Sequence, residues 1–360
     1  VIVGARTVPI AVEARIARVM ICDDSAVIRG AIARILEADP LVRVVARASN
    51  GQAAIDEVGR TAVDVLVLDI EMPVMDGMTA LPLLLRADPG LQVIMASTLT
   101  TRGADIALRA LRLGAADYVP KPSAAHGDEV FRVELLAKVK GLARLRQRAK
   151  APMHETSGLR LRAAPIMSPR LLALGSSTGG PQALFTLVQG LGKTLNVPVV
   201  LTQHMPPTFT PILAEHISKV GGMPCAEAKD GEVLLAGRIY LAPGDRHLLV
   251  EMARGSLHVR VNSDPPENFC RPSVDPMLRS AATACEGRVL VAMLTGMGQD
   301  GLAGTRRVVE AGGGAVAQDE ATSVVWGMPG AVAQAGLCQA VLPLPRIAPK
   351  LLELLRMARA

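Results

Sequence analysis

The chain has 360 residues, half of them hydrophobic and a fifth charged, which is enough for two ordinary domains with separate cores. Aromatic residues make up only 2%, which argues against stacking on single-stranded nucleic acid, and no apolar run reaches the roughly 20 residues of a membrane span. The formal charge of +6 is uneven: Lys138, Lys140, Arg144, Arg146, Arg148, Lys150, Arg160, Arg162 and Arg170 gather around one mid-chain stretch.

Residues 1–17 lack the apolar centre and cleavage site of a secretory signal and read as a poorly ordered extension. From Arg18 to Lys140, short apolar runs alternate with helical patterns. "RVMIC", "VRVVARA", "VDVLVL", "LQVIMAS" and "ADYVP" read as strands, and "AVIRGAIARILEAD", "GQAAIDEVGR", "MTALPLLLRAD" and "RGADIALRALRLG" as helices. "DEVFRVELLAKVKGLARLRQR" closes the series as a long helix. Such alternation predicts a doubly wound parallel sheet. Residues 141–170 form a basic linker rich in Pro and Ser, read as a solvated stretch or as a docking surface for an acidic partner. Residues 171–358 resume the strand–helix alternation as a second α/β domain, with a hairpin-like interlude in "GRIYLAPGDRHLLVEMARGSLHVRV". Cys22, Cys225, Cys270, Cys285 and Cys338 are scattered and form no C-x-x-C pair. That favours a reducing, cytoplasmic setting and no structural zinc.

In the first half, chemistry gathers at predicted strand ends. Asp23 and Asp24 follow the first strand, Asp69 ends the third, Ser97 ends the fourth and Lys121 follows the fifth. Singly, these acids read as helix caps, as Asp24 would be for the helix after it. Together, three carboxylates at neighbouring strand ends suit magnesium, and a carboxylate flanked by magnesium and lysine suits phosphoryl transfer. This set resembles the receiver domain of two-component response regulators. The resemblance implies a flavodoxin-like fold, with Asp69 phosphorylated by a histidine kinase and Asp23 and Asp24 helping Asp69 to hold Mg2+. It also implies Ser97 as the switch hydroxyl, Lys121 as its charge partner, Tyr118 as a rotating aromatic, and a cis bond at Lys121–Pro122.

In the second half, "LALGSSTGGPQALFTL" reads as strand, tight turn and helix, which suits either an anion cradle or an exposed nucleophile. No lysine follows Gly179 and Gly180, so it is not a P-loop, and "GSSTGG" is not G-x-G-x-x-G. It does fit G-x-S-x-G with Ser177 at the centre, and the following helix aims its amino end at the turn. A nucleophilic serine needs a base, and the base needs an orienting acid. His204 lies just past a buried strand at the same sheet edge. His247 is a weaker rival, His216 reads as a surface residue of a helix, His258 alternates within a strand, and His126 and His154 fall in or near the linker. Asp300 follows another apolar strand. Taken alone, His204 reads as a hydrogen-bonded half-buried residue and Asp300 as a helix cap.

"GSSTGGPQAL", "QHMPP", "GEVLLAGRIYLAPGDRHLLV", "RPSVDPML", "LTGMGQDG" and "VVWGMPGAV" resemble, in order, the chemotaxis protein-glutamate methylesterases of CheB type. The resemblance implies a Rossmann-like domain with a β-hairpin insertion. It makes Ser177 the nucleophile, His204 the base and Asp300 its orienting acid, with Thr178 supporting the histidine and the Met297 N–H in the oxyanion hole. It implies glutamyl methyl esters, and in many members certain glutamines, on the cytoplasmic helical bundle of chemoreceptors as substrates, with no cofactor at the esterase site. The expected partners are a histidine kinase and methyl-accepting chemoreceptors, with neither nucleic acid nor membrane insertion. The competing expectation is a receiver-controlled regulator whose output domain is non-catalytic, either a binding module or a nucleic-acid-binding unit.

Overall fold

Three runs rich in Val, Ile, Leu and Ala, Ala17–Cys22, Val65–Asp69 and Gln92–Ser97, become central strands buried on both faces, as parallel strands under helices must be. The computed structural model describes residues 16–98, 100–121, 128–148, 159–163, 168–193 and 195–357. The first unit runs β1 (Ala17–Cys22), α1 (Ala26–Glu37), β2 (Val42–Ala48), α2 (Gly51–Val58), β3 (Val65–Asp69), α3 (Gly77–Ala87), β4 (Gln92–Ser97), α4 (Thr101–Arg112), β5 (Asp117–Pro120) and α5 (Asp128–Arg148). Its parallel sheet has the order β2-β1-β3-β4-β5. The order reverses between β1 and β3, so a crevice opens at their carboxyl ends. Ser25, Asn50, Asp76 and Thr100 cap α1 to α4, each accepting from the third N–H of its helix. The cap of α1 is therefore Ser25 and not Asp24.

The second unit runs β6 (Leu171–Ser176), α6 (Gly180–Leu191), β7 (Val199–Gln203), α7 (Thr210–Gly221), β8 (Cys225–Glu227), β9 (Ile239–Leu241), β10 (His247–Ala253), β11 (Ser256–Asn262), α8 (Val274–Ala284), β12 (Val289–Met293), α9 (Leu302–Glu310), β13 (Gly314–Gln318), α10 (Met328–Gln334), β14 (Ala340–Leu342) and α11 (Leu344–Met357). Seven strands form a parallel sheet in the order β14-β13-β12-β6-β7-β9-β8, with no closed barrel. Here the order reverses between β6 and β12. The hairpin β10–β11 stands apart, turning at Arg254 (φ 49°) and Gly255 (φ 79°). Two positive φ values define a primed turn, and glycine takes the second of them without strain.

The helix α5 continues to Arg148, so the stretch expected as linker from residue 141 begins as helix. Four of its cations are paired with acids instead of forming a solvated tail. Lys138 is buried against Asp117 and Glu134, Lys140 pairs with Asp39, and Arg146 pairs with Asp88 and Asp64. Arg144 crosses to the second unit and meets Glu320 and the Ser323 carbonyl.

The two units share apolar cores. Val324, from the loop after β13, belongs to the cluster formed by Val19, Ile21, Phe131, Leu135 and Val139. A Cβ on Gly141 of α5 would lie 2.0 Å from the Val324 carbonyl oxygen, so only glycine permits this approach. Tyr118 stacks on Phe209 with ring centroids 4.8 Å apart. His216 is buried rather than at the surface, with Nε2 3.4 Å from Asp105 of α4.

Candidate active site

Both sheets deliver their polar residues to the carboxyl ends of strands at the point where strand order reverses, where ligands bind in this architecture. In the first unit, ligand oxygens of Asp23, Asp24 and Asp69 fall within 4.8 Å of one another. Lys121 Nζ lies 3.0 Å from Asp23 Oδ2 and 2.7 Å from Asp69 Oδ2, in an orientation that leaves both buried oxygens without an aligned hydrogen bond. Burial raises the Asp69 carboxyl above its ordinary value, and Lys121 works against that rise. Burial would lower Lys121, but Asp69 and Asp23 outweigh it and hold the amine charged. Three oxygens converging on one point, two of them buried without an aligned donor, suit a hard divalent cation. Ser97 is buried at the same edge, and its hydroxyl donates to the Thr98 carbonyl at 3.1 Å.

In the second unit Ser177 follows β6 in a turn that small residues make possible. Gly179 has φ 74°, and a Cβ there would strike Val324 at 2.5 Å. A Cβ on Gly180 would lie 2.0 Å from Gln203 Oε1, and one on Gly296 would lie 3.0 Å from the Ser177 Cβ. The turn is pinned from three sides. The Ser177 N–H donates to the Thr295 carbonyl at 3.0 Å, and Thr295 Oγ1 donates to the Thr178 carbonyl at 2.9 Å. Gln203 Nε2 donates to the carbonyls of Ser177 (3.0 Å) and His204 (3.1 Å), which fixes the two turns against each other. No side chain caps α6. Among the described residues, neither the Thr178 N–H nor the Met297 N–H donates a hydrogen bond, which leaves two backbone donors in the loops around Ser177.

His204 follows β7, and its Nε2 lies 2.7 Å from Asp300 Oδ2. Asp300 follows β12 and is 2% exposed. It is a helix cap as well, though of α8 and not of the helix after it. Oδ2 accepts from the Val274 N–H (2.7 Å), and Oδ1 accepts from Ser273 Oγ (2.7 Å), the Asp275 N–H (3.2 Å) and Asn268 Nδ2 (3.0 Å). Burial opposes its charge, but His204 and these donors hold the carboxyl below its ordinary value. Burial also opposes charge on His204, yet hydrogen bonds to Asp300 and Cys270 push the ring up to about 9. Cys270 Sγ lies 3.4 Å from His204 Nδ1. Among the described residues, no hydrogen bond joins the Ser177 hydroxyl to His204, and the Thr178 hydroxyl does not reach the ring.

His247 is committed elsewhere, accepting from the Ser273 N–H at Nδ1 (3.2 Å) and facing the Pro265 carbonyl at Nε2 (3.1 Å). His258 spans Ser256 and the Gly231 carbonyl. The Lys121–Pro122 bond, His126, His154 and residues 1–15 lie outside the described residues.

The sequence reading did not single out Asn268, Cys270, Ser273 and Gln203 for the site, although Ser273 and Gln203 lie inside quoted motifs. Asn268 and Cys270 immediately precede "RPSVDPML". A further omission is Asp117 of β5, whose Oδ2 accepts from the Gly179 N–H at 3.0 Å. Burial raises this carboxyl, against the pull of Lys138. The first unit therefore grips the turn that carries Ser177.

Residues 172–351 match the family model for the CheB methylesterase, and residues 19–127 match the response regulator receiver domain. The protein-glutamate methylesterase/protein-glutamine glutaminase 1 of Paramagnetospirillum magneticum is 52% identical over 364 residues, spanning 94% of this chain and 96% of that protein. The corresponding protein of Azospirillum brasilense is 53% identical, spanning 92% and 91%. Among solved structures, the Thermotoga maritima CheB methylesterase catalytic domain has 39% identity and a TM-score of 0.51, covering 52% of this chain and 100% of that one.

Proposed function

This chain belongs to the CheB methylesterase family, with a response regulator receiver domain ahead of the esterase domain, and from that premise we propose that it hydrolyses glutamyl methyl esters on chemoreceptors under control of phosphorylation at Asp69. The observation that carries the proposal is the convergence of Ser177, His204 and Asp300 at the ends of β6, β7 and β12, with His204 and Asp300 2.7 Å apart.

In this reading Ser177 Oγ attacks the ester carbonyl while neutral His204 takes its proton. Asp300 orients the ring and stabilises the imidazolium that forms. The Thr178 and Met297 N–H groups stabilise the tetrahedral oxyanion. Methanol leaves with the proton held by His204, and water then hydrolyses the acyl-enzyme to free glutamate. A receptor glutamine follows the same course and releases ammonia. The Ser177–His204 hydrogen bond needed for the first step forms when a substrate is seated.

The receiver supplies control. A histidine kinase of a chemotaxis-type system delivers the phosphoryl group to Asp69, in a cytoplasmic setting. Mg2+ held by Asp23, Asp24 and Asp69 would offset the charge that develops there. Lys121 neutralises the product, and Ser97 swings from the Thr98 carbonyl toward the phosphoryl oxygens. The unphosphorylated receiver covers the esterase through Asp117–Gly179, Tyr118–Phe209 and Gly141–Val324, and phosphorylation loosens that cover. A nucleic-acid-binding output is disfavoured because Lys138, Lys140, Arg144 and Arg146 of α5 are paired with the chain's own acids.

The experiment is methanol release from methylated receptor membranes, with and without a small-molecule phosphodonor. Stimulated release that vanishes in Ser177→Ala is expected, and EDTA should remove the stimulation while leaving basal release. A folded wild-type protein that releases no methanol from several methylated receptors overturns the proposal.

A further inference from the structure

Glu267 and Cys270 exchange both backbone hydrogen bonds, at 2.9 and 3.1 Å, so the chain between them is a narrow turn. Its central residues are Asn268 (φ 53°) and Phe269 (φ 62°). This is the backbone of the β10–β11 turn, where the second position is Gly255. A phenylalanine there carries left-handed strain that glycine would avoid. Phe269 is also fully exposed, at 104% of its reference area. Neither packing nor backbone preference accounts for the residue, and strain that persists without a folding benefit points to use.

The turn is tied to the reaction centre on both sides of Phe269. Asn268 Nδ2 donates to Asp300 Oδ1 (3.0 Å) and to Asp275 Oδ2 (2.9 Å). Cys270 Sγ lies 3.4 Å from His204 Nδ1. Glu267 is gripped by both terminal nitrogens of Arg279, at 2.6 and 2.7 Å. A second exposed apolar side chain, Met297, stands three residues before Asp300 on the loop after β12. The ring of Phe269 is therefore held out to solvent on a rigid mount beside His204 and Asp300.

We propose that Phe269 is a specificity-determining contact of the esterase, docking on an apolar side chain of the helix that carries the glutamyl ester. The inference rests on the receptor reading given above. On a helix, residues three or four positions from the glutamate share its face and are the neighbours a fixed ring beside the reaction centre would meet. An aromatic anchor held rigidly loses little freedom on binding, which is how a few side chains come to dominate a docking surface. A small ester presents no such neighbour.

The test uses full-length protein with phosphodonor and compares wild type, Phe269→Ala, Phe269→Leu and Phe269→Gly. Substrates are methylated receptor membranes and the γ-methyl ester of a blocked glutamate, and thermal midpoints are recorded alongside. Phe269→Ala should raise the receptor KM roughly tenfold with little change in kcat. The loss on the receptor should be at least tenfold greater than on the small ester. Phe269→Leu should recover most of it, and Phe269→Gly should show the receptor defect with a higher midpoint than wild type. Equal losses on both substrates, or an unchanged receptor KM in Phe269→Ala, overturn the inference while leaving the receptor reading in place. A wild type that cleaves the small ester and releases nothing from receptors overturns both.

Discussion

Asp300 satisfies two demands with one carboxylate, orienting His204 and closing the amino end of α8. The second role explains how a buried acid stays charged: a helix terminus supplies donors that water would otherwise supply. It also keeps the proton on the histidine. With His204 pushed up to about 9, the neutral ring that the proposed serine chemistry needs as a base is scarce at pH 7 and grows as pH rises through that value. We expect kcat/KM for ester hydrolysis to increase from pH 7 to above 9, and Cys270→Ala to move the inflection to lower pH. A profile level from pH 7 upward in the wild type would contradict this. The sign for stability is opposite: a raised folded-state value contributes fully below about 6.5 and is lost as pH climbs through about 9. His204 and Asp300 were legible in the sequence because each follows a buried strand. The cap on α8 was not, since it joins residues 25 to 27 positions apart, with α8 and β12 between them. The burial of His216 was hidden for a related reason: its covering surface is α4, more than a hundred residues earlier.

Helix α5 shows how an element's sequence can mislead about its surroundings. Its cationic run reads as a solvent face, yet the structure spends these charges on Asp39, Asp64, Asp88, Asp117 and Glu320. What fixes the helix against the esterase is Gly141, an unremarked small residue in a long helical pattern. Its missing side chain admits the Val324 carbonyl, and Val324 in turn fills the receiver's core. Gly141→Val cannot keep this approach, and the receiver must lift by the depth of the added side chain. We expect basal hydrolysis without phosphodonor to rise several-fold to tenfold, tenfold corresponding to about 1.4 kcal/mol of lost cover, with phosphodonor stimulation reduced to match. Basal activity no higher than wild type in a folded variant would show that this contact does not restrain the enzyme. The strand–helix alternation, the hairpin β10–β11 and the strand-end placement of Asp23, Asp69 and Ser177 were readable from apolar runs and turn residues, whereas the order of strands within each sheet was not. Packing of one unit on the other was not, because its determinants are glycines and single side chains without a periodic signature.

For the molecule as a whole, the decisive feature is the shortness of β5. Asp117 at its start holds the Gly179 N–H of the Ser177 turn, and Lys121 just past its end holds Asp69. The two grips are five residues apart counting both ends, which is about 13 Å of extended chain. A strut that short transmits displacement in either direction, so information also flows backward. If an occupied phosphorylation site improves receptor docking by some factor, a docked receptor improves occupancy of the phosphorylation site by the same factor. With Ser177→Ala to prevent turnover, methylated receptor should tighten binding of beryllium trifluoride with Mg2+ at Asp69, and that phosphate mimic should tighten receptor binding equally. No change in either affinity would mean that the strand does not couple the sites. Where the coupling holds, a receptor rich in methyl esters recruits the charged form of the enzyme to itself. The load of substrate then helps to set how long each molecule stays switched on, in addition to the kinase that switched it.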